Sequence, residues 1–349
     1  MKKMKDEKLF KMIRDYLVVY LPEQKCCSDD TVKSYRESLN ILLDYITREK
    51  HIPLEDITFS LLNYQMIEEF LDWLEKARNC CISTRNHRLS CIRSFLKYAG
   101  NMDPVLLAHR NDLQKIPLKK DMKLKVIDFM SEEALKAVLA QPDVETRNGV
   151  RDLFFMILMY DTAARNSELL DLKMKDFSAN SKTPCVYLTG KGRKKRVVPV
   201  MQKTVEHFHR YMGIFHGAQG YDANQNLFYT TRHGTKQQMS ADNVARFMNK
   251  YGIAAKAVCK EVPLKVHPHM FRRTRAMHLY RAGMPLALLS EWLGHENPET
   301  SLIYAHADTE MKREAIQKAT GSCNPLNAEK IKPFWKNDDE LIRQLYGLK

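Results

Sequence analysis

Apolar residues recur every three or four positions through most of this 349-residue sequence, and this periodicity constrains the fold more than any other feature. It is clearest after Ser28 and Asp29, the two candidates for the N-cap of a long helix. One face of that helix would carry Val32, Tyr35, Leu39, Leu42 and Tyr45. The same spacing predicts helices near 61–77 and 83–98, the second with Gly100 as its C-terminal stop.

One segment in the second half of the chain follows a strand pattern instead. Residues 185–189 and 196–200 flank the glycine-containing basic turn 190–195, which predicts a β-hairpin. Residues 151–160 are apolar on almost every side, which indicates a central helix, and helical periodicity resumes from Ala241 to about 320. We therefore expect a mainly α fold with a small β-hairpin or sheet, of the α+β class.

The length suggests two domains, each large enough to bury its own core. We expect a helical domain over 1–105 and a basic interdomain linker over 106–128, where the periodicity lapses. The second domain would cover 129–320, because Ser131 and the acidic residues after it are typical of a helix N-terminus. Residues 321–349 remain as a C-terminal tail.

The charge balance points to a polyanionic partner. The chain has 56 Lys and Arg against 42 Asp and Glu, a formal net charge of +14, which suits either nucleic acid or an anionic membrane surface. No apolar run approaches the ~18 residues of a membrane span, and the N-terminus lacks the pattern of a signal peptide. We expect a cytoplasmic protein with free thiols, since its eight cysteines show no CxxC spacing.

Four segments of the second domain carry candidate functional residues in a definite order. Arg165 lies in the first, Lys191 in the basic turn, and His269 and Arg272 in the third. The fourth contains His295 and, nine residues later, Tyr304. Each segment alone is a weak signal, because a surface arginine, a solvated turn or a core tyrosine would account for it.

Taken together, the four segments resemble those of the tyrosine recombinases, the phage integrase family. The resemblance covers about 131–320 and extends more loosely to the first domain, which would be the family's helical, SAM-like core-binding domain. It implies that Glu168 holds the first active-site arginine. The chain departs from the family pattern at Ala163 and Ala164, where Gly and Leu are common.

The chemistry of strand exchange gives an independent reason for this set of residues. Conserving the energy of a phosphodiester bond requires a covalent intermediate, for which Tyr304 is the nucleophile that the resemblance implies. Two guanidiniums, Arg165 and Arg272, would stabilise the charge on the phosphate oxygens, with His295 as a further donor. By resemblance Lys191 is the general acid, and His269 would accept the phenolic proton or orient the phosphate. We expect no metal and no cofactor.

In the family the two domains close on DNA as a clamp, which suggests double-stranded DNA with a specific core site as the partner. The residues that we expect to contact DNA are Arg85, Arg88, Arg93, Lys97, Lys33, Arg36, Lys119 and Lys120. We also expect a homotetramer on two duplexes, no membrane, and accessory DNA-bending or directionality proteins. We further expect a role in moving a mobile element. The tail would dock on a neighbouring subunit through Leu341, Ile342 and Leu345.

Other functions remain open at this stage. A catalytically silent DNA-binding regulator would have the same basic faces without needing all six site residues. A topoisomerase-like enzyme would share the chemistry. A metallohydrolase would use His267, His269 and His295, although the proline between the first two disfavours a metal pair.

Overall fold

The computed structural model describes residues 4–120, 128–190, 194–217, 222–295 and 297–307, together with Arg313, Glu340, Arg343 and Gln344. The chain divides into two compact units, Met1–Leu124 and Lys125–Lys349. Lys191 and the tail residues Leu341, Ile342 and Leu345 lie outside the described residues.

The first unit is helical. Its helices are α1 (Glu7–Asp15, continued by the π-helical stretch Tyr16–Gln24), α2 (Asp29–Arg48), α3 (Tyr64–Lys76), α4 (Ile82–Met102) and α5 (Leu107–Gln114). Ser28 caps α2 as predicted, with its hydroxyl accepting from the Thr31 backbone N–H. The apolar faces meet in one core whose largest buried side chains include Tyr16, Phe70 and Phe95.

The prediction that Gly100 stops the third helix is wrong. Gly100 lies buried within α4, which continues to Met102. A Cβ atom there would lie 3.3 Å from Leu107 Cδ2, so the missing side chain lets the start of α5 pack closely. The predicted linker 106–128 is therefore helical at its start, and Leu113 of α5 belongs to the core of the first unit.

The second unit combines helices with two small antiparallel sheets. Its helices are α6 (Glu132–Leu139), α7 (Arg147–Thr162), α8 (Asn166–Leu170), α9 (Gln202–Phe215), α10 (Ala241–Val258), α11 (Pro268–Arg281), α12 (Leu286–Leu293) and α13 (Leu302–Ala307). The first sheet has the order β1 (Phe177–Ser178), β2 (Cys185–Thr189) and β3 (Lys195–Pro199). A separate hairpin pairs β4 (Tyr229–Arg232) with β5 (Thr235–Gln238).

The central helix of this unit is α7, which is buried along most of its length. Phe154, Phe155 and Met159 are fully buried and pack in one cluster with residues from the sheet and from α9, α10 and α11. The expected hairpin and central helix are thus confirmed, and so is the mainly α fold with small sheets. Among the residues that the structure describes, no helix is long and apolar enough to cross a membrane.

Candidate active site

The first part of the site forms where α7 ends. Its C-cap, Ala163, is buried with φ 50°, a left-handed conformation that turns the chain sharply into α8. Arg165 is the N-cap of α8, and the carboxylate of Glu168 accepts a hydrogen bond from the Arg165 backbone N–H at 2.7 Å. The short spacing between Arg165 and Glu168 therefore reflects a local capping interaction as well as a side-chain contact.

Glu168 is buried and binds two guanidinium groups. It accepts from Arg165 Nη1 at 2.8 Å and from Arg196 Nη1 and Nη2 at 2.8 and 2.7 Å. Burial alone would raise the pKa of Glu168, but the hydrogen bonds and charge of Arg196, together with Arg165, lower it below its usual value. The carboxylate is thus ionised and anchors both arginines, in keeping with its expected role beside Arg165.

Arg196 is a site residue that the sequence analysis missed. It lies on β3 opposite the buried Leu188 and two residues before the buried Val198, so its side chain is on the inward face of the strand. The alternation of β3 contained this signal, because a charged residue on a buried strand face requires a partner of opposite charge. Nothing in the sequence alone identified that partner as Glu168.

A second turn brings the other motifs to the same place. Helix α12 ends at Gly294, which has φ 62°, and His295 follows directly. Arg165 Nη2 donates to the Gly294 carbonyl at 3.2 Å, and Arg272 Nη2 donates to the Leu293 carbonyl at 2.6 Å. Two guanidiniums from distant segments thus bind consecutive carbonyls immediately before His295.

Arg272 lies on α11 and is only 2% exposed. Its Nη1 donates to the Ala163 carbonyl at 2.7 Å, so both of its terminal nitrogens are bound to backbone carbonyls. Burial and then the nearby charge of Arg165 lower the pKa of Arg272 to about 10, which leaves it positively charged at neutral pH. Among the described residues around the cavity, Arg165 lines its wall, whereas Arg272 does not.

The two site histidines are neutral at pH 7. The His295 ring shares a hydrogen bond between Nδ1 and Ser301 Oγ at 2.8 Å, and burial followed by the charges of Arg272 and Arg165 lowers its pKa to about 4. His269, in the first turn of α11, is more exposed. Its ring is partly withdrawn from water, and this desolvation, with the charges of Arg273 and Arg272, lowers its pKa to about 4 as well.

Tyr304 lies on α13 and is only 2% exposed. It packs in an apolar cluster with Ala163, Ala276, Met277, Leu289 and Leu293. Burial raises the pKa of the Tyr304 hydroxyl, while the charges of Arg272 and Arg273 oppose that change. The tyrosine is therefore adjacent to the arginines but does not line the cavity beside them.

The cavity has a volume of about 620 Å³ and a basic wall. Its lining residues include Arg165, Lys194, Lys195, Arg196, Glu291, Gly294 and His295. Gly190, which also lines it, donates its backbone N–H to the Lys194 carbonyl at 2.8 Å and so closes the turn. Within the described parts of the chain, no group of three or more His, Cys, Asp or Glu side chains is arranged to hold a metal ion.

Three arginines that we expected to face DNA are bound within the first unit instead. Arg85 is buried and donates to the Pro117 carbonyl at 2.9 Å. Arg88 binds Ser38 Oγ and Glu37 Oε1, each at 2.9 Å. Arg93 donates to the carbonyls of Leu113, Gln114 and Ile116.

The remaining residues of that set are exposed. These are Lys33, Arg36, Lys97, Lys119 and Lys120. Lys119 forms an ion pair with Glu75 at 2.8 Å but keeps much of its side chain in solvent. The surface available for a polyanion on this unit is thus smaller than the helix periodicity suggested.

Comparison with known proteins identifies the class of this chain. Residues 128–311 match the phage integrase family, and residues 6–110 match the phage integrase SAM-like domain. The chain therefore belongs to the phage integrase family, the tyrosine recombinases, as its motifs predicted. By this membership it is a site-specific DNA recombinase of the tyrosine type.

Individual relatives agree with this assignment. The tyrosine recombinase XerA of Pyrococcus horikoshii is 30% identical over 71% of this chain and 79% of its own length. The tyrosine recombinase XerC of Oceanobacillus iheyensis is 28% identical over 89% of this chain and 96% of its own. The solved structure of the Tn1549 transposon integrase, in complex with transposon right-end DNA, shares the fold with a TM-score of 0.66 at 17% identity, covering 89% of this chain and 98% of that one.

Proposed function

We propose that this recombinase cuts and rejoins double-stranded DNA through a 3′-phosphotyrosyl intermediate on Tyr304, without metal or ATP. The observation that carries the proposal is the meeting of two guanidiniums at the turn before His295. Fixed positive groups of this kind stabilise the charge that develops on nonbridging phosphate oxygens. The basic cavity above them has room for a phosphodiester.

Each group has a definite role in this mechanism. Arg165 donates to the phosphate from the cavity wall, and Arg272 contributes its charge from beneath. His295 is neutral, so it donates a hydrogen bond without adding a further positive charge. His269 is neutral as well, and it either accepts the phenolic proton or orients the phosphate. Lys191 protonates the 5′ oxygen as it leaves, and the freed 5′ hydroxyl later attacks the phosphotyrosine to reseal a strand.

The burial of Tyr304 adds a step. Attack requires the hydroxyl to reach phosphorus in line with the leaving oxygen, yet the ring is packed in the apolar cluster around Leu289 and Leu293. We propose that α13 shifts when DNA occupies the cavity. In the DNA-free protein the nucleophile is then protected from side reactions.

The wider setting follows from the same chemistry. Strand exchange between two duplexes needs four cuts, so we propose a homotetramer on two copies of a specific core site. Accessory DNA-bending or directionality proteins would select the direction of the reaction. We propose that the DNA integrated or excised is a mobile element and that the reaction takes place in the cytoplasm. We also propose that the C-terminal tail of one subunit docks on a neighbouring subunit.

The leaving-group step can be tested through Lys191. Lys191→Ala should lose at least about 10²-fold in cleavage rate in EDTA, because the leaving alkoxide is not protonated. A 5′-phosphorothiolate substrate, whose leaving thiolate needs no proton, should restore the rate. Loss of wild-type cleavage in EDTA would contradict the metal-free mechanism, and failure of the sulfur substrate to restore the variant would remove Lys191 from the acid role.

A further inference from the structure

The ion pair between Glu168 and Arg196 connects three segments of the cavity. Arg196 extends from β3 and is bidentate to Glu168, which in turn binds the side chain and backbone of Arg165. The remaining donor, Arg196 Nε, bonds the Trp292 carbonyl at 3.1 Å, in the last turn of α12 before His295. One side chain thus uses all three of its guanidinium nitrogens to tie β3 to α8 and α12.

Two glycines show how closely this pair is packed. A Cβ atom at Gly294 would lie 3.1 Å from Arg196 Nη1 and 3.2 Å from its Cδ, and the φ of 62° already favours glycine there. A Cβ atom at Gly190, the residue before the basic turn, would lie 3.3 Å from Glu168 Oε1. The segments that carry Gly190 and Gly294, both of which line the cavity, therefore pack against the pair.

The charges explain why two arginines share one carboxylate. With Glu168 bound to Arg165 alone, the buried carboxylate would neutralise the guanidinium that opens to the cavity and would draw it away from the phosphate. A second guanidinium on the same carboxylate satisfies Glu168 and leaves one net positive charge in the cluster. Arg196 is 14% exposed, so its own charge is held mainly by the protein.

We propose that Arg196 is a positioning residue for strand cleavage: it compensates Glu168 so that Arg165 stays directed at the phosphate, and it holds the turn before His295. This inference rests on the proposed function for its catalytic consequence. The geometric part, the orientation of Arg165, does not depend on catalysis and can be measured without it.

Three variants of the full-length chain separate the effect of the Arg196 charge from the effect of its hydrogen-bonded geometry. Arg196→Gln leaves the buried Glu168 paired with Arg165 alone. The double variant with Glu168→Gln removes both charges while keeping an amide oxygen that accepts from Arg165. Arg196→Lys keeps the charge but not the paired hydrogen bonds. Lys203→Gln, an exposed residue of α9, controls for the loss of one positive charge.

We expect Arg196→Gln to cleave pre-bound DNA about 10²-fold more slowly than wild type, comparable to losing one transition-state donor. Its DNA affinity should change by no more than Lys203→Gln changes it. The double variant should cleave about tenfold faster than Arg196→Gln. The cleavage rate of Arg196→Lys should lie between those of Arg196→Gln and wild type. Acidification should also speed cleavage by the single variant relative to wild type, because protonating Glu168 removes the negative charge that neutralises Arg165.

Arginine side-chain NMR provides the readout that does not require cleavage. The Arg165 guanidinium signal should move in Arg196→Gln and return toward its wild-type position in the double variant. An unmoved Arg165 signal, or a double variant that cleaves no faster than the single one, would overturn the inference. If the wild type forms no covalent complex on any DNA while Arg165 responds as expected, then the proposed function fails and the positioning role stands.

Discussion

Burial and three guanidinium groups, those of Arg165, Arg196 and Arg272, together set the protonation states around the cavity. Arg196 and Arg165 keep Glu168 ionised despite its burial, whereas desolvation first, and nearby arginine charges second, keep His269 and His295 neutral. A site with two excess positive charges and neutral histidines suits a phosphodiester, whose single negative charge increases to two in the pentavalent transition state. The same charges make the site sensitive to acid.

This acid sensitivity is a testable property of His295. Its pKa is about 4 in the folded protein against an ordinary 6.5, so between these values the unfolded chain binds more protons than the folded one. The contribution of the neutral ring to the free energy of unfolding is therefore fully present above pH 6.5 and is lost as the pH falls toward 4. In thermal melts of wild type and His295→Asn, the advantage of wild type should shrink from pH 7 to pH 4.5. An advantage that grows with acidity would mean that the folded ring is protonated.

Single residues differ in how far the sequence identified them. Arg165 and His295 stand in motifs of fixed spacing, so the pattern located them, whereas Arg196 has no motif of its own. The sequence did not show that Arg93 binds the carbonyls at the end of α5, because these partners lie about 20 positions along the chain. Periodicity shows which side of a helix is polar but not whether a folded segment covers that side.

At the scale of elements, α4 holds the chain that leaves the first unit. Arg93 binds the last carbonyls of α5, Arg85 binds the Pro117 carbonyl, and Asn86 pairs with both backbone groups of Lys119. A cation at a helix C-terminus satisfies carbonyls that have no partner within the helix. Residues 113–119 are thus fastened to α4 by Asn86 and by two arginines, Arg85 and Arg93, that we had expected to contact DNA.

A matched pair of substitutions on α4 tests this reassignment. Arg93→Ala should cost about 2 kcal/mol locally, because hydrogen bonds from a charged group to backbone carbonyls are lost. Hydrogen exchange in α5 should then accelerate by more than about tenfold. Lys97→Ala, at an exposed position of the same helix, should leave exchange unchanged. Equal exchange in the two variants would show that Arg93 does not hold α5.

Elements with a strong local pattern were predicted, and short polar ones were not. The β2–β3 hairpin alternates around a glycine turn, and α7 is apolar on nearly every side, so local sequence was sufficient. Helix α5 has eight residues and a weak pattern, and β5 is exposed at every position, so neither shows the burial that periodicity detects. Their structures depend on contacts with distant residues, such as the hydrogen bond from Gln238 to the Leu170 carbonyl.

At the scale of the whole molecule, the net charge of +14 should appear as salt-dependent DNA binding. For each exposed lysine or arginine that contacts a phosphate, alanine substitution should reduce the slope of log K against log salt by about 0.9. Lys33, Arg36, Lys97, Lys119 and Lys120 are the candidates in the first unit. Lys76→Ala is a suitable control, because Lys76 is exposed and paired with Asp72. A slope unchanged in all five variants would place the DNA elsewhere.

The most direct test of the central claim is covalent trapping by Tyr304. Nicked, labelled duplexes from the DNA flanking the gene, supplemented by a random-sequence library, would be incubated with wild type and with Tyr304→Phe in EDTA and separated on a denaturing gel. The account predicts a protein–DNA band with wild type alone and similar duplex affinity for both proteins, because only a hydroxyl is removed. A covalent band with Tyr304→Phe, or no band from wild type on any DNA that it binds, would contradict it.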